Sequence, residues 1–179
     1  MEILMKKIIA LLGLAVLTTG LATAQNQRES FGLGIILGNP SGLSLKIPSG
    51  PNSINAIFGY NSYRNGWGNC DGPGPGDRDR CYGDGSIYLG ADYIFYNYNL
   101  IRVSKGRLPL YYGPGLNATF WDAPPGEDGI RVGFRIAVGL EYQFATAPFD
   151  IFFEIAPGIN VVPNTSGYVM AGLGTRFFF

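Results

Sequence analysis

The chain has 179 residues with 13 basic and 13 acidic side chains, so its formal net charge is zero. Charged residues make up only 15%, aromatics 14%, and 27 residues are glycine; a soluble domain carries roughly 25% charge, and this balance excludes a disordered chain and, with no basic run, a nucleic-acid binder. Histidine is absent, which removes imidazole-based triads, His-ligated metals and most general acid–base schemes.

Met1–Ala24 reads as a secretory signal peptide. Lys6 and Lys7 form its positive region, Ile8–Leu17 its short apolar core, and Ala22-Thr23-Ala24 the small-x-small cleavage pattern. The apolar core is too short to span a bilayer comfortably, and no cysteine at the cleavage site supports a lipid anchor. Cleavage leaves one domain, residues 25–179, with 11 basic and 12 acidic residues.

The remainder reads as strands. After Ala24 there is no apolar run of about 18 residues, so no helical membrane span is expected; the period is two. Phe31, Leu33, Ile35 and Leu37 alternate with Gly32, Gly34 and Ile36. The turn Asn39-Pro40-Ser41-Gly42 leads to Leu43, Leu45 and Ile47, set against Ser44 and Lys46. A third strand sets Ile54, Ala56, Phe58 and Tyr60 against Asn55, Gly59 and Asn61. The fourth sets Ile87, Leu89, Ala91, Tyr93 and Phe95 against Tyr88, Gly90, Asp92 and Tyr96. The fifth opposes Leu110, Tyr112, Leu116, Ala118 and Phe120 to Tyr111, Gly113, Gly115, Asn117 and Thr119. The sixth is the cleanest, with 16 alternating residues from Gly129 to Phe144: Val132, Phe134, Ile136 and Val138 on one face, Arg131, Gly133, Arg135, Gly139 and Glu141 on the other. The seventh opposes Phe149, Ile151, Phe153, Ile155 and Ile159 to Asp150, Glu154 and Asn160. The last opposes Val169, Ala171, Leu173, Phe177 and Phe179 to Tyr168, Gly172, Gly174 and Arg176. Pro114 and Pro157 fall inside strands, each before a glycine, and predict local bulges. The first hairpin is short for a membrane strand.

Alternation alone also fits a soluble sandwich or a lipocalin-like barrel. The second face decides between them. Water would favour Lys, Glu, Thr and Gln there, whereas this face is mainly Gly, Tyr and Asn with isolated charges, which suits a crowded lumen. The expected fold is all-β: an eight-stranded antiparallel up-and-down transmembrane β-barrel with its apolar face to lipid. The longest connections, Arg64–Gly85 and Trp121–Asp128, then share the extracellular end, and Asn97–Arg107 is longer than periplasmic turns usually are. Outward aromatics at the periplasmic rim, Phe31, Phe95, Phe144, Phe149, Phe177 and Phe179, suit an interfacial girdle. The apolar C-terminal strand closing on Phe179 looks like an outer-membrane assembly signal, which places the protein in the cell outer membrane.

The segment Phe31-Gly-Leu-Gly-Ile-Ile-Leu-Gly-Asn-Pro-Ser-Gly-Leu43 resembles the opening hairpin of the small, spirochaete-type outer-membrane β-barrel family of uncharacterised function. Ala91-Asp92-Tyr93, Tyr111-Tyr112-Gly113, Arg131–Arg135, Ile151–Pro157 and Gly172–Arg176 are similar to it too. More broadly the chain is similar to eight-stranded barrels such as the OmpA membrane domain and opacity-type surface proteins. That resemblance implies structural, adhesive or host-interaction roles and no catalytic residues. The cysteines of the Arg64–Gly85 loop depart from the family.

Seven inward charges, Lys46, Asp92, Arg131, Arg135, Glu141, Glu154 and Arg176, are expected to pair in the lumen, because an isolated buried ion costs several kcal/mol. A lumen so plugged favours a structural or adhesin-like protein; a narrow solute pore and a soluble ligand-binding barrel are the alternatives. Cys70 and Cys81, in an exported chain, read as a disulfide stapling the long loop. Asp71, Asp77, Asp79 and Asp84 lack the rest of a calcium-loop pattern. Trp67, Tyr82 and Trp121 form the candidate recognition surface. No enzyme, metal or cofactor is expected, and the expected partners are the lipid bilayer and a surface ligand reached by the loops, with the protein acting as a monomer and binding no nucleic acid.

Overall fold

A computed structural model describes residues 30–61, 86–121 and 129–179. The expected signal segment, Met1–Ala24, and Trp67, Cys70, Cys81 and Tyr82 lie outside them. The described chain forms eight strands: β1 (Gly32–Asn39), β2 (Ser41–Ser49), β3 (Asn52–Asn61), β4 (Ser86–Asn97), β5 (Leu110–Phe120), β6 (Ile130–Gln143), β7 (Phe149–Val162) and β8 (Ser166–Phe178). Each pairs antiparallel with its neighbour in sequence, and β1 also pairs with β8, so the sheet closes into a barrel with no free edge. Closure removes the unpaired edge that an open sheet would present.

Strict period two sorts the side chains into two environments. Leu37, Phe134, Ile136 and Val169 are 64%, 55%, 56% and 67% exposed on the outer face, while Arg135, Glu141 and Arg176 are buried within the barrel. Val132, Phe134 and Ile136 thus point away from the axis. The outer face is apolar and the inner face polar, the reverse of a water-soluble barrel. An apolar cluster of Ile36, Ile57, Tyr88, Ile94, Tyr111, Ala137 and Phe152 fills the inside between the charges.

Glycines on the inner face make room for those rings. A Cβ on Gly139 would stand 2.4 Å from the Tyr111 ring and 2.3 Å from the Phe153 carbonyl oxygen, and Phe152 lies over Gly174 in the same way. The ring on one strand occupies the space that its neighbour lacks.

Neither proline forms a bulge. The β4–β5 ladder runs from Ile87↔Phe120 to Asn97↔Leu110 in one register, with the pairs opposite Gly113 and Pro114 simply missing. The β6–β7 ladder likewise lacks the pairs between Arg135↔Gly158 and Val138↔Ile155, beside Pro157. Residues in an antiparallel strand turn their N–H and C=O to one neighbour, so each proline weakens a single ladder and leaves the other intact; Pro114↔Ile136 and Pro157↔Val169 remain paired. The β6–β7 register shift lies instead at Val132/Gly133.

The end of the barrel holding Gly32 and Phe178 carries an aromatic belt on its outer face. Phe31, Phe179, Phe177, Phe149, Phe144 and Tyr142 follow one another at centroid spacings of 4.8–6.4 Å. Tyr93, Phe95 and Tyr112 form a second arc. We call this the girdle end and the opposite one the loop end.

The glycine–ring packing makes a measurable distinction. Gly139→Ala drives a methyl into a backbone oxygen as well as a ring, and should lower the urea unfolding free energy by about 1–3 kcal/mol. Gly172→Ala meets first the flexible end of Ile36, at 2.6 Å, and should cost less in the same titration.

Candidate functional site

Inward parity delivers charged side chains from β2, β4, β6, β7 and β8 into one lumen, where they form two groups. Glu141 is the hub of the first, toward the girdle end. Its Oε1 accepts from Lys46 Nζ at 2.5 Å and Gln143 Nε2 at 2.6 Å, and its Oε2 accepts from Arg176 Nη2 at 2.6 Å. Arg176 also donates from Nε to both oxygens of Asp150, at 3.1 and 3.2 Å, and its backbone N–H reaches Asp150 Oδ1 at 3.1 Å. The cations are backed by rings: Lys46 Nζ stands 4.6 Å from the Tyr96 centroid and 5.4 Å from that of Phe178, while the Arg176 guanidinium stacks 4.2 Å over Phe152. Two cations meet two carboxylates, so this group is neutral.

Arg135 is the hub of the second group, at mid-barrel. Its Nε and Nη2 grip Asp92 at 2.8 and 3.1 Å, its Nη1 donates to the Tyr88 hydroxyl at 2.7 Å, and its Nη2 also pairs with Glu154 Oε1. Tyr111 donates its hydroxyl proton to Glu154 Oε2 at 3.0 Å. One cation here serves two carboxylates. A bidentate arginine fork matches planar carboxylates better than a lysine could.

The polar layer nearer the loop end is neutral. Tyr168 donates to Asn117 Oδ1 at 2.5 Å and Asn160 Nδ2 to Ser166 Oγ at 3.1 Å, while the buried Nδ2 of Asn117 has no protein partner.

The geometry thus brings together Lys46, Glu141 and Arg176, and separately Asp92, Arg135 and Glu154. Arg131 does not join either group, contrary to the sequence reading. It sits half-buried near the loop end with its guanidinium 5.0 Å over the Trp121 ring, and makes no ion pair among the described residues. The physical reason is height: Arg131 is the second residue of β6, too close to the rim for the mid-barrel carboxylates to reach. Trp121 is half-buried beneath it and lies just past the end of β5, its N–H bonded to the Gly129 carbonyl at 3.0 Å. Asp150 is the residue that the sequence reading left out. Its inward parity with Glu154, four positions on, was the available signal, obscured by its place at the second residue of a strand. Among the described residues no group of three or more His, Cys, Asp or Glu side chains is arranged to hold a metal ion.

A family model described as "Protein of unknown function (DUF3996)" matches residues 22–179. No curated protein matches the chain. Among solved structures, the crystal structure of the N-terminal β-barrel domain of Pseudomonas aeruginosa OprF superposes with a TM-score of 0.55 at 17% identity, over 84% of this chain and 98% of that domain. At that identity the likeness concerns the fold.

The unequal charge of the two groups separates their mutants. Glu141→Gln strips the hub of a neutral group and leaves Lys46 and Arg176 to share Asp150, an expected loss of about 3–5 kcal/mol. Asp92→Asn leaves Arg135 paired with Glu154 but weakens its two-bond grip on β4, and should cost about 1.5–3 kcal/mol, the scale of one charge-assisted hydrogen bond. Urea titration of the folded barrel in micelles, with unchanged slope, measures both.

Proposed function

The chain belongs to the DUF3996 family, and on that premise we propose that it is an integral outer-membrane barrel with a structural role, whose loop end supplies a surface for contact. The observation that carries this reading is the reversed polarity of the wall. Large apolar side chains stand around the whole outer face while three cations and four carboxylates lie inside. An exposed apolar band of this extent would aggregate in water and is at home only in hydrocarbon. A lipocalin-like ligand carrier needs the opposite arrangement, an apolar lumen.

Within the wall, the ion-paired side chains act as a plug. A guanidinium held by two carboxylates and the Tyr88 hydroxyl is not free to conduct or to bind, so the pore reading has less to support it than the scaffold. Catalysis has less still: there is no histidine, and each inward carboxylate is committed to a cation. The surface-interaction role assigns the connection 64–85 to contact, with a Cys70–Cys81 disulfide as its proposed staple and Trp67, Tyr82 and Trp121 as the proposed recognition residues. The spirochaete-type kinship and the role as adhesin belong to the same proposal, as does cleavage after Ala24.

The reading has direct tests. Ile136→Arg, a charge near mid-barrel on the outer face, should lower stability in lipid vesicles by about 2–4 kcal/mol, whereas a soluble barrel would tolerate an arginine at this 56% exposed position. In planar bilayers the purified protein should give no steady conductance steps; reproducible steps would establish the pore instead. Deletion of residues 64–85 should leave detergent-dependent folding intact and remove binding to host-surface extracts in a pull-down, and a deletion that spoiled folding would contradict the division of labour between wall and loop.

A further inference from the structure

The connection from Tyr98 to Pro109 at the girdle end is folded back against the wall. Arg107 exchanges backbone hydrogen bonds with Gln143 at 2.9 and 2.8 Å, and the Pro109 carbonyl accepts from Glu141 N–H at 3.1 Å. Gly106 allows the approach: its φ is +72°, and a Cβ there would stand 2.5 Å from the Gln143 carbonyl oxygen. The Tyr142 hydroxyl donates to the Lys105 carbonyl at 3.1 Å. Tyr142 points outward and packs edge-on against Phe144 at 4.8 Å, so this bond sets the Lys105 backbone at the level of the aromatic belt.

What the connection presents there is cationic and apolar together. Arg102, Lys105 and Arg107 are exposed, Leu100 is 61% and Val103 37% exposed, and no acidic residue lies between Asn97 and Pro109. Among the described residues none of the three cations pairs with a carboxylate. The other two girdle-end connections, 50–51 and 144–148, carry no charge at all, whereas the loop-end connections 62–85 and 122–128 contain seven carboxylates and three arginines. Of the connections between strands, only Tyr98–Pro109 carries a net positive charge, and it lies beside the belt.

We infer that the Tyr98–Pro109 connection is a binding surface for the headgroups of anionic phospholipids in the leaflet that meets the girdle. The inference rests on the membrane reading above. Tyrosine hydroxyls of a belt sit at headgroup depth, which brings Arg102, Lys105 and Arg107 within reach of phosphate oxygens, matched to them by charge and by N–H donors. Leu100 and Val103 extend the apolar face of the wall into the same layer, as on an interfacial segment. The three cations border a surface that Leu100 and Val103 join to the apolar wall. This also accounts for the length of a connection that a tight turn could have replaced.

The test uses the full-length mature chain refolded into vesicles of phosphatidylcholine alone or mixed with phosphatidylglycerol, then extracted gently for native mass spectrometry of retained lipid. Wild type should retain phosphatidylglycerol over phosphatidylcholine and unfold at higher urea in the mixed vesicles. R102Q/K105Q/R107Q should insert equally well into phosphatidylcholine but lose the preference by about tenfold or more, and R102K/R107K should keep most of it. Equal phosphatidylglycerol retention by wild type and the triple glutamine variant would overturn the inference. So would a wild type without lipid preference that instead pelleted with insoluble cell-wall glycan through the same three residues. Failure of both proteins to insert into either vesicle type would overturn the membrane reading itself, a result distinct from insertion without preference.

Discussion

A narrow closed sheet has no water to spare inside, and the burial of ionised groups in that space governs the rest of this structure. Each charge turned inward must find its opposite across the barrel or be left unsolvated at a cost of several kcal/mol. Glu141 meets the condition with three donors, drawn from β2, β8 and its own strand. Its partners Lys46 and Arg176 lie 95 and 35 positions away in sequence. Such contacts form only in the closed barrel and only in one register, because a slip of one residue would turn every ion into the outer face. The network therefore selects the register as much as it stabilises the wall.

The fold was legible because period two carries two messages at once. The spacing gives strands, and the composition of the second face, glycine and tyrosine rather than lysine and glutamate, gives the side that turns inward. Which charges turn inward was legible from parity for Lys46, Asp92, Arg135, Glu141, Glu154 and Arg176. Which charges meet was not, since pairing depends on height along the barrel and on stagger between strands, and alternation encodes neither. Arg131 shows the gap: its parity is right and its height is wrong. Asp150 shows the converse, a strand-edge residue that stagger brings level with Arg176, its direct partner in the β7–β8 ladder. The prolines were misread for a related reason. A missing donor suggested a bulge, yet both strands keep register because only one side of each loses its bonds.

Those missing bonds give the mid-barrel ion group a more specific meaning. The β4–β5 ladder is interrupted immediately after Asp92↔Gly115, and the β6–β7 ladder immediately after Arg135↔Gly158. Ile136 lies between the two prolines, paired with Pro114 on one side and facing the Pro157 gap on the other. The weakest stretch of backbone pairing in the described wall therefore runs across β4, β5, β6 and β7 at one level. Arg135 sits at that level inside and ties Asp92 of β4 to Glu154 of β7, clamping from the lumen strands whose ladders are interrupted in the wall. Side-chain ion pairs here take over what backbone hydrogen bonds do elsewhere. That is a reason for a barrel to hold one more carboxylate at mid-height than its cation count balances: the arginine needs an anchor on each side of the break.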